Sequence, residues 1–456
     1  MFDLKNNRIN GFSRIGLTLV MPFILIAVAY VVYKLFFISD PVVKGIEAFE
    51  LLPLEKTVRL QGENLRSIEI IAYQSGNIVE LLKESPEVGD KMFSLEIKPK
   101  ELKLKNGPAV IIINASAGIM KEVKYEIKAT VDTVPPTLEV LRSPSVVHHG
   151  GGGFVWLRAK DADSVYIKLD DKKFMAFTAS DPESGQGGAP ETGQQSLSGL
   201  QRKRTAKNYH ILFPAPYDIN EDSIFYAIAK DTAGNQNVKA LPIRIKMKDY
   251  KVSSINIDRS FIDKVVSPLL NETNISDPES AFKKVNEEWR MDSSTKFIEI
   301  SRKSEPEVMW KGRFLQLKNS KVMAMYGDKR TYLYDGKAIS KSVHLGYDLA
   351  SFSRAPVEAA NTGIVRFADE LNIYGNAVII DHGLGLMSLY GHLSTILVSE
   401  GQAVQKGDII GKTGATGLAG GDHLHYGILI QGYEVSPLYW WDSNWIRINV
   451  LDRMRF

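Results

Sequence analysis

Four histidines and one aspartate stand in three short contexts of the C-terminal third: His344-Leu-Gly-Tyr-Asp348, Tyr390-Gly-His392-Leu393 and His423-Leu424-His425. Five of the eight histidines fall between His344 and His425, a concentration that chance explains poorly. Imidazole nitrogens and carboxylate oxygens are donors for a divalent ion. A catalytic zinc site uses three of them and leaves one corner open, whereas a structural site is closed by four. The chain has no cysteine. Disulfides, thiolate iron–sulfur clusters and thiolate zinc sites are thereby excluded, and any metal must be held by nitrogen and oxygen.

Tyr426-Gly-Ile-Leu-Ile430 follows the last pair and reads as a buried strand. Residues two apart on a strand share a face, so His423 and His425 look into one cleft while Leu424 points into the core. One of these imidazoles can take metal and the other substrate. Gly346 argues for a turn entering a strand, from which His344 and Asp348 could converge.

Piece by piece, these motifs resemble the LytM/lysostaphin-type zinc metallopeptidases, a family of cell-wall endopeptidases. The likeness runs from roughly Asn319 to Trp441. It includes Val343-His-Leu-Gly-Tyr-Asp-Leu-Ala350, Tyr374-Gly-Asn-Ala-Val-Ile-Ile-Asp-His-Gly383, Gly411-Lys-Thr-Gly-Ala-Thr-Gly417 and Asp422-His-Leu-His425. The resemblance implies that His344, Asp348 and His425 bind zinc and that His392 and His423 serve catalysis. It also implies that peptidoglycan peptide stems are the substrate, cut by a zinc-activated water. The absence of a wall-sorting signal or repeat-rich wall-binding tail is similar to Gram-negative periplasmic members, which implies a D-alanyl-diaminopimelate cross-link. The alternative from another class is a catalytically silent scaffold that activates a different hydrolase. Degenerate relatives of that kind lose metal ligands, and this chain keeps them. A third reading makes the β-modules an adhesive or assembly device.

Other chemistry-bearing residues have simpler explanations. His382, in Asp381-His-Gly383, lies outside the ligand set and reads as structural or as support for the ligands. His148 and His149 precede four glycines but have no third donor near them in sequence. Gly411-Lys412-Thr413 ends like a phosphate-binding loop, yet Lys406 stands where the first glycine is required. Arg202-Lys203-Arg204 with Lys207 reads as a solvated charge run.

Several elements must position the cluster. At 456 residues the chain is long enough for about three folded units, and 44% hydrophobic with 24% charged residues is a globular balance. A net charge of +3 gives no field for nucleic acid. The expected architecture is mainly β. Residues 1–14 are a cytoplasmic N-terminus, and Lys5, Arg8 and Arg14 precede an uncharged run from Ile15 to Tyr33. This reads as an uncleaved transmembrane helix over 15–38, single-pass in the inner membrane, with everything after it in the periplasm. Period-two runs predict a β-sandwich-like module over 45–130. A second module covers 131–248, and its Pro135-Pro136 opening and closing Asp231-Thr-Ala-Gly-Asn235 resemble bacterial immunoglobulin-like repeats. Within it, 180–207 reads as a mobile loop. Asp277-Pro278 starts a helix in a linker over 254–318, which joins the β-modules to the last domain or packs on it or over its cleft. The zinc peptidase domain covers 319–456.

Overall fold

The computed structural model describes residues 13–36, 39–85, 89–117, 121–179 and 205–454. The chain divides into two compact units, Met1–Pro135 with Thr232–Asn235, and Pro136–Asp231 with Gln236–Phe456.

In the first unit Ser13–Phe36 is one helix of 24 residues. Its side chains from Met21 to Val32 are exposed. Among the described residues no helix is long and apolar enough to cross a membrane, and 37–38 of the expected span lie outside the description. Two sheets follow. One is three-stranded (Val42–Lys44, Lys56–Leu65, Gly89–Ile97), and the other runs Leu51–Leu52, Glu122–Val131, Gly107–Ser116, Ser67–Gln74, Asn77–Glu84. Alternating burial along the strands sends Val58, Leu60 and Phe93 from one sheet and Ile68, Ile70, Ile111 and Ile113 from the other into one core, as period-two patterning requires.

The second unit opens with another pair of sheets. Phe177–Thr178, Lys207–Ala215, Gly151–Lys160 and Thr137–Arg142 lie in that order, facing Lys172–Met175, Ser164–Leu169, Phe225–Lys230 and Gln236–Leu241. The stretch expected to be mobile lies outside the described residues up to 204, as do Arg202, Lys203 and Arg204; Lys207 begins a strand.

This sandwich is not set apart from the last domain. Along Gly151–Lys160 the odd positions Val155 and Leu157 fill the sandwich core. The even positions Phe154 and Trp156, with Leu212 from the next strand, join a second core containing Tyr426, Ile428, Ile430 and Trp440. The Gln431 side-chain amide donates to the carbonyls of Met175 and Leu212, both at 3.0 Å. The histidine–glycine tract serves this junction. His149 is buried, its Nε2 2.6 Å from the Tyr217 carbonyl, and its ring stacks on Tyr217, while His148 packs on Tyr439. A Cβ on Gly152 would sit 2.7 Å from Ile430 Cδ1 and 2.8 Å from the Phe213 carbonyl oxygen, so only glycine permits the approach.

The last domain is built on an eight-stranded sheet. Its main path is Lys321–Ala324, Tyr347–Ala350, Leu424–Ile430, Leu386–Gly391, Asn376–Asp381, Gly363–Glu370 and Ala403–Val404, with Tyr433–Val435 also on Leu424–Ile430. A separate three-stranded sheet orders Val252–Ile257, Asp328–Tyr334 and Lys337–His344, the first pair parallel. The segment read as a linker is thus structural. After its opening strand, Asp277 accepts from Ser280 N–H and starts a helical stretch through Ser301, with a widened turn at Lys284–Glu288. Phe282, Val285, Phe297 and Ile300 pack with Tyr374, Ile379 and Leu429. Trp310 and Phe314 enter the core beside Trp440. Local helical spacing gave the helix but carried no signal for these long-range contacts.

Gly152→Val forces the sandwich strand away from Ile430 and should cost about 1–3 kcal/mol by overpacking. Urea unfolding measures this, and an unchanged midpoint would show that the junction tolerates a side chain there.

Candidate active site

Strands of these two sheets bring distant residues to one place. Asp348 and His425 are direct partners across antiparallel strands, so their side chains share a face. His344 ends Lys337–His344 immediately before the turn that leads into Tyr347–Ala350. Asp348 Oδ1 is 2.9 Å from His344 Nε2 and 3.1 Å from His425 Nδ1, and those two nitrogens are 3.1 Å apart. Leu424, between the paired histidines, is buried in the core. His392 and His423 complete the group, with ring centroids 4.8 Å apart, and His423 Nε2 lies 3.6 Å from Asp348 Oδ1.

Surrounding carbonyls fix which nitrogens face inward. His344 Nδ1 lies 3.1 Å from the Met325 carbonyl, which can only accept, so the neutral ring presents the Nε2 lone pair to the carboxylate. Two lone-pair donors 2.9 Å apart need a cation or a proton between them. His425 presents Nδ1, and its Nε2 is buried without a hydrogen-bond partner among the described residues. Packing sets that ring: the Tyr374 edge is 5.1 Å away, and a Cβ on Gly346 would stand 2.4 Å from Nε2. The triad fits zinc in donor type, mutual spacing and number.

Charge follows from burial and neighbours. Burial resists ionisation of Asp348, but His344, His423 and His425 outweigh it and hold the carboxyl well below the usual range. Burial pushes His425 down to about 4 and, with neighbouring His423 and His425, His392 to about 3. For His423 burial works the same way, yet the Asp348 carboxylate overcomes it and the net shift is upward. His392 donates Nδ1–H to the Thr416 carbonyl at 2.7 Å, and His423 Nδ1 is 2.8 Å from that of Gly421. Both therefore turn Nε2 toward the cleft. His392 occupies a left-handed backbone conformation, φ 63°. Its loop is held by the close approach of Gly375 and Gly417, each of which would drive a Cβ into the other's backbone.

Several supporting residues carried no sequence signal. Arg330 donates to Asp328 Oδ2 at 3.1 Å and reaches Asp348 Oδ2 at 3.5 Å, which leaves Oδ1 to face the imidazoles. Asp422 accepts from Thr413 Oγ1 and the Arg354 amide and so anchors the turn before His423. The glycines after Gly411 serve this packing; Gly414 lies against Ser394. Tyr374, behind His425, donates its hydroxyl to Glu434 Oε1 at 2.8 Å. His382 lies outside the cluster, bonded to the Thr362 carbonyl and Ser388 Oγ, and burial pushes it to about 4. The cleft, about 260 Å³, is also lined by Ile255, Phe261, Phe282 and Arg290 of the supposed linker.

Residues 342–437 match the profile of Peptidase family M23. The DD-carboxypeptidase/endopeptidase Mpg of Neisseria meningitidis serogroup B is 42% identical over 96 residues, 21% of this chain and 22% of that protein. The peptidoglycan DD-endopeptidase ShyA of Vibrio cholerae is 40% identical over 95 residues, with the same shares. The matched stretch spans about a fifth of the length of these curated relatives. Among solved structures, the catalytic domain of lysostaphin from Staphylococcus simulans is similar at 26% identity, covering 28% of this chain and 96% of that one, with a TM-score of 0.24.

Gly346→Ala should tilt His425 and weaken zinc binding about 10- to 100-fold, read by calorimetric titration with the fold checked by circular dichroism. Burial pushes Glu434 up to about 7 against the opposing effects of Tyr374 and Arg290. A carboxyl raised on folding contributes stability below its unfolded pKa and loses it as pH rises through the folded value. Glu434→Gln should therefore be more stable than the unsubstituted protein at pH 8, by on the order of 3 kcal/mol. The gap should close toward pH 4, as thermal melts across pH would record.

Proposed function

We propose that this chain, whose C-terminal region is a Peptidase family M23 domain of the LytM/lysostaphin type, is a membrane-anchored zinc endopeptidase that hydrolyses peptide cross-links of peptidoglycan. The observation that carries the reading is the convergence of His344 Nε2, Asp348 Oδ1 and His425 Nδ1 within 3.1 Å of one another, beside two further imidazoles. The named activities of the Neisseria and Vibrio relatives support the substrate class.

Zinc held by those three atoms supplies Lewis acidity toward a carbonyl oxygen and a lowered pKa for water. The chain's own groups supply the rest. His392 is neutral at physiological pH and orients the attacking water by accepting its hydrogen bond at Nε2, while His423 takes the proton released as water attacks the peptide carbonyl. His423 is the more basic imidazole. It donates from Nε2 to the developing oxyanion or to the departing amine, and Asp348 stabilises its charge. The burial of His344 and His425, the partial burial of Asp348 and the apolar wall around Phe261 and Phe282 reduce competing solvent at the reacting carbonyl.

The anchor is the N-terminal helix, supported by its uncharged run from Ile15 to Tyr33 behind Lys5, Arg8 and Arg14. In this reading the chain is a single-pass inner-membrane protein with its peptidase in the periplasm. The sandwich before the peptidase is immunoglobulin-like in this reading. Its two sheet orders support that, since they correspond to A-B-E-D facing an extended C-F-G sheet.

Zinc-loaded full-length protein in detergent should release cross-link fragments from purified peptidoglycan, identified by mass. Chelation and His425→Ala should abolish release, while His392→Ala should keep zinc and lose about 10²- to 10⁴-fold in kcat. Absence of any product from the zinc-loaded protein would favour the scaffold role.

A further inference from the structure

The cleft that holds the triad is walled on one side by the helical stretch Pro278–Ser301, which lies outside the M23 match at 342–437. Arg290 projects from this wall into the same cleft as His344, Asp348, His392 and His423. Two cations therefore line the site, and they differ in kind. The guanidinium of Arg330 is occupied by Asp328 and Asp348. Arg290 makes no ion pair among the described residues; both of its hydrogen bonds go to Asn286.

That pairing is a built clamp. Arg290 Nε donates to the Asn286 carbonyl and Nη2 to Asn286 Oδ1, each at 3.1 Å. Asn286 is fully buried, and its own amide donates to Ser340 Oγ at 2.9 Å. Ser340 belongs to the strand that ends at His344. A short chain of hydrogen bonds thus ties the orientation of the guanidinium to the strand that delivers a metal ligand. The widened helical turn at Lys284–Glu288 places Asn286 within it. The ordering entropy of the arginine is spent before any ligand arrives, and the Nη1 edge is left to donate.

We infer that Arg290 is a carboxylate anchor of the cleft, binding through its free guanidinium edge a carboxylate carried by the substrate residue that supplies the scissile nitrogen. The inference rests on the peptide-cleavage reading above and adds the feature of the peptide that is recognised. In a D-alanyl-diaminopimelate cross-link, the carbon bearing the scissile nitrogen also bears a free carboxylate. A fixed planar fork matches that group in charge and shape. The apolar residues beside it, Ile255, Phe261 and Phe282, suit the methylene chain that follows. Selectivity for the acid over its amide thus comes from a segment preceding the region that matches the family profile.

The test uses the zinc-loaded full-length protein in detergent and a stem tripeptide ending in diaminopimelate, as the free acid or with that carboxyl amidated. Calorimetric titration should show the acid binding about 10-fold tighter than the amide. Arg290→Ala should bind both alike with zinc content unchanged. Arg290→Lys keeps the charge without the fork and should retain part of the preference, which decides the matter if the alanine variant folds poorly. Equal or absent binding of acid and amide by the unsubstituted protein overturns the inference, as does a preference that survives in Arg290→Ala. If the preference is present and lost on substitution but no cross-link is cut, the hydrolytic reading fails and the anchor stands. Cleavage of acid and amide substrates at equal rates sinks the anchor alone.

Discussion

The register between Tyr347–Ala350 and Leu424–Ile430 is the constraint on which the site depends. Antiparallel pairing sets Asp348 opposite His425, and side-chain alternation then puts His423 on that same face without a further instruction. A slip of one residue would turn every one of these groups into the core. The register is held because both faces of Leu424–Ile430 are buried: Leu424, Tyr426, Ile428 and Ile430 fill one core and Leu429 the other. Apolar packing thus positions polar chemistry. The carboxylate and the imidazoles repel unless a cation joins them, and the surrounding core resists their separation.

The second unit extends this logic beyond the peptidase domain. A spacer module would leave the outer face of its sheet to solvent, but Phe154, Trp156 and Leu212 are buried against the peptidase core. The helical stretch before the domain is likewise a wall of the cleft. The shape of the site is therefore set in part by chain that carries no ligand, through Ile255, Ile257, Phe261, Phe282 and Arg290. Relatives that share only the region matched by the family profile share the chemistry and not this surround.

Local signals in the sequence were legible and distant ones were not. Period-two runs gave the mainly β character, and the spacing of His423 and His425 gave a shared face, because both depend on neighbours in sequence. The histidine cluster made a metal site readable from residue type. By contrast, His148, His149 and the glycines after them offered no third donor and no other role in the sequence. Their purpose, close passage beside Ile430 and Tyr439, depends on residues nearly three hundred positions away. Which of the linker's alternatives holds was illegible for the same reason: Trp310 and Phe314 follow no periodicity and are buried by tertiary packing. Asn286 and Arg290 stand at helical spacing, but only the fold reveals that Arg290 shares the cleft with the triad and that Asn286 holds it there.

The two-faced strand Gly151–Lys160 has a consequence for how the protein is made. Its inner side chains find partners within the sandwich, whereas Phe154 and Trp156 wait for Ile428, Ile430 and Trp440. Emerging from the ribosome before the last domain, the sandwich carries an unsatisfied greasy surface until almost the whole polypeptide has followed it. Contacts of such high sequence separation close slowly, so in the interval that surface is open to a chaperone or to a neighbouring nascent chain. Completion of the cleft and concealment of this sticky face are then a single late event.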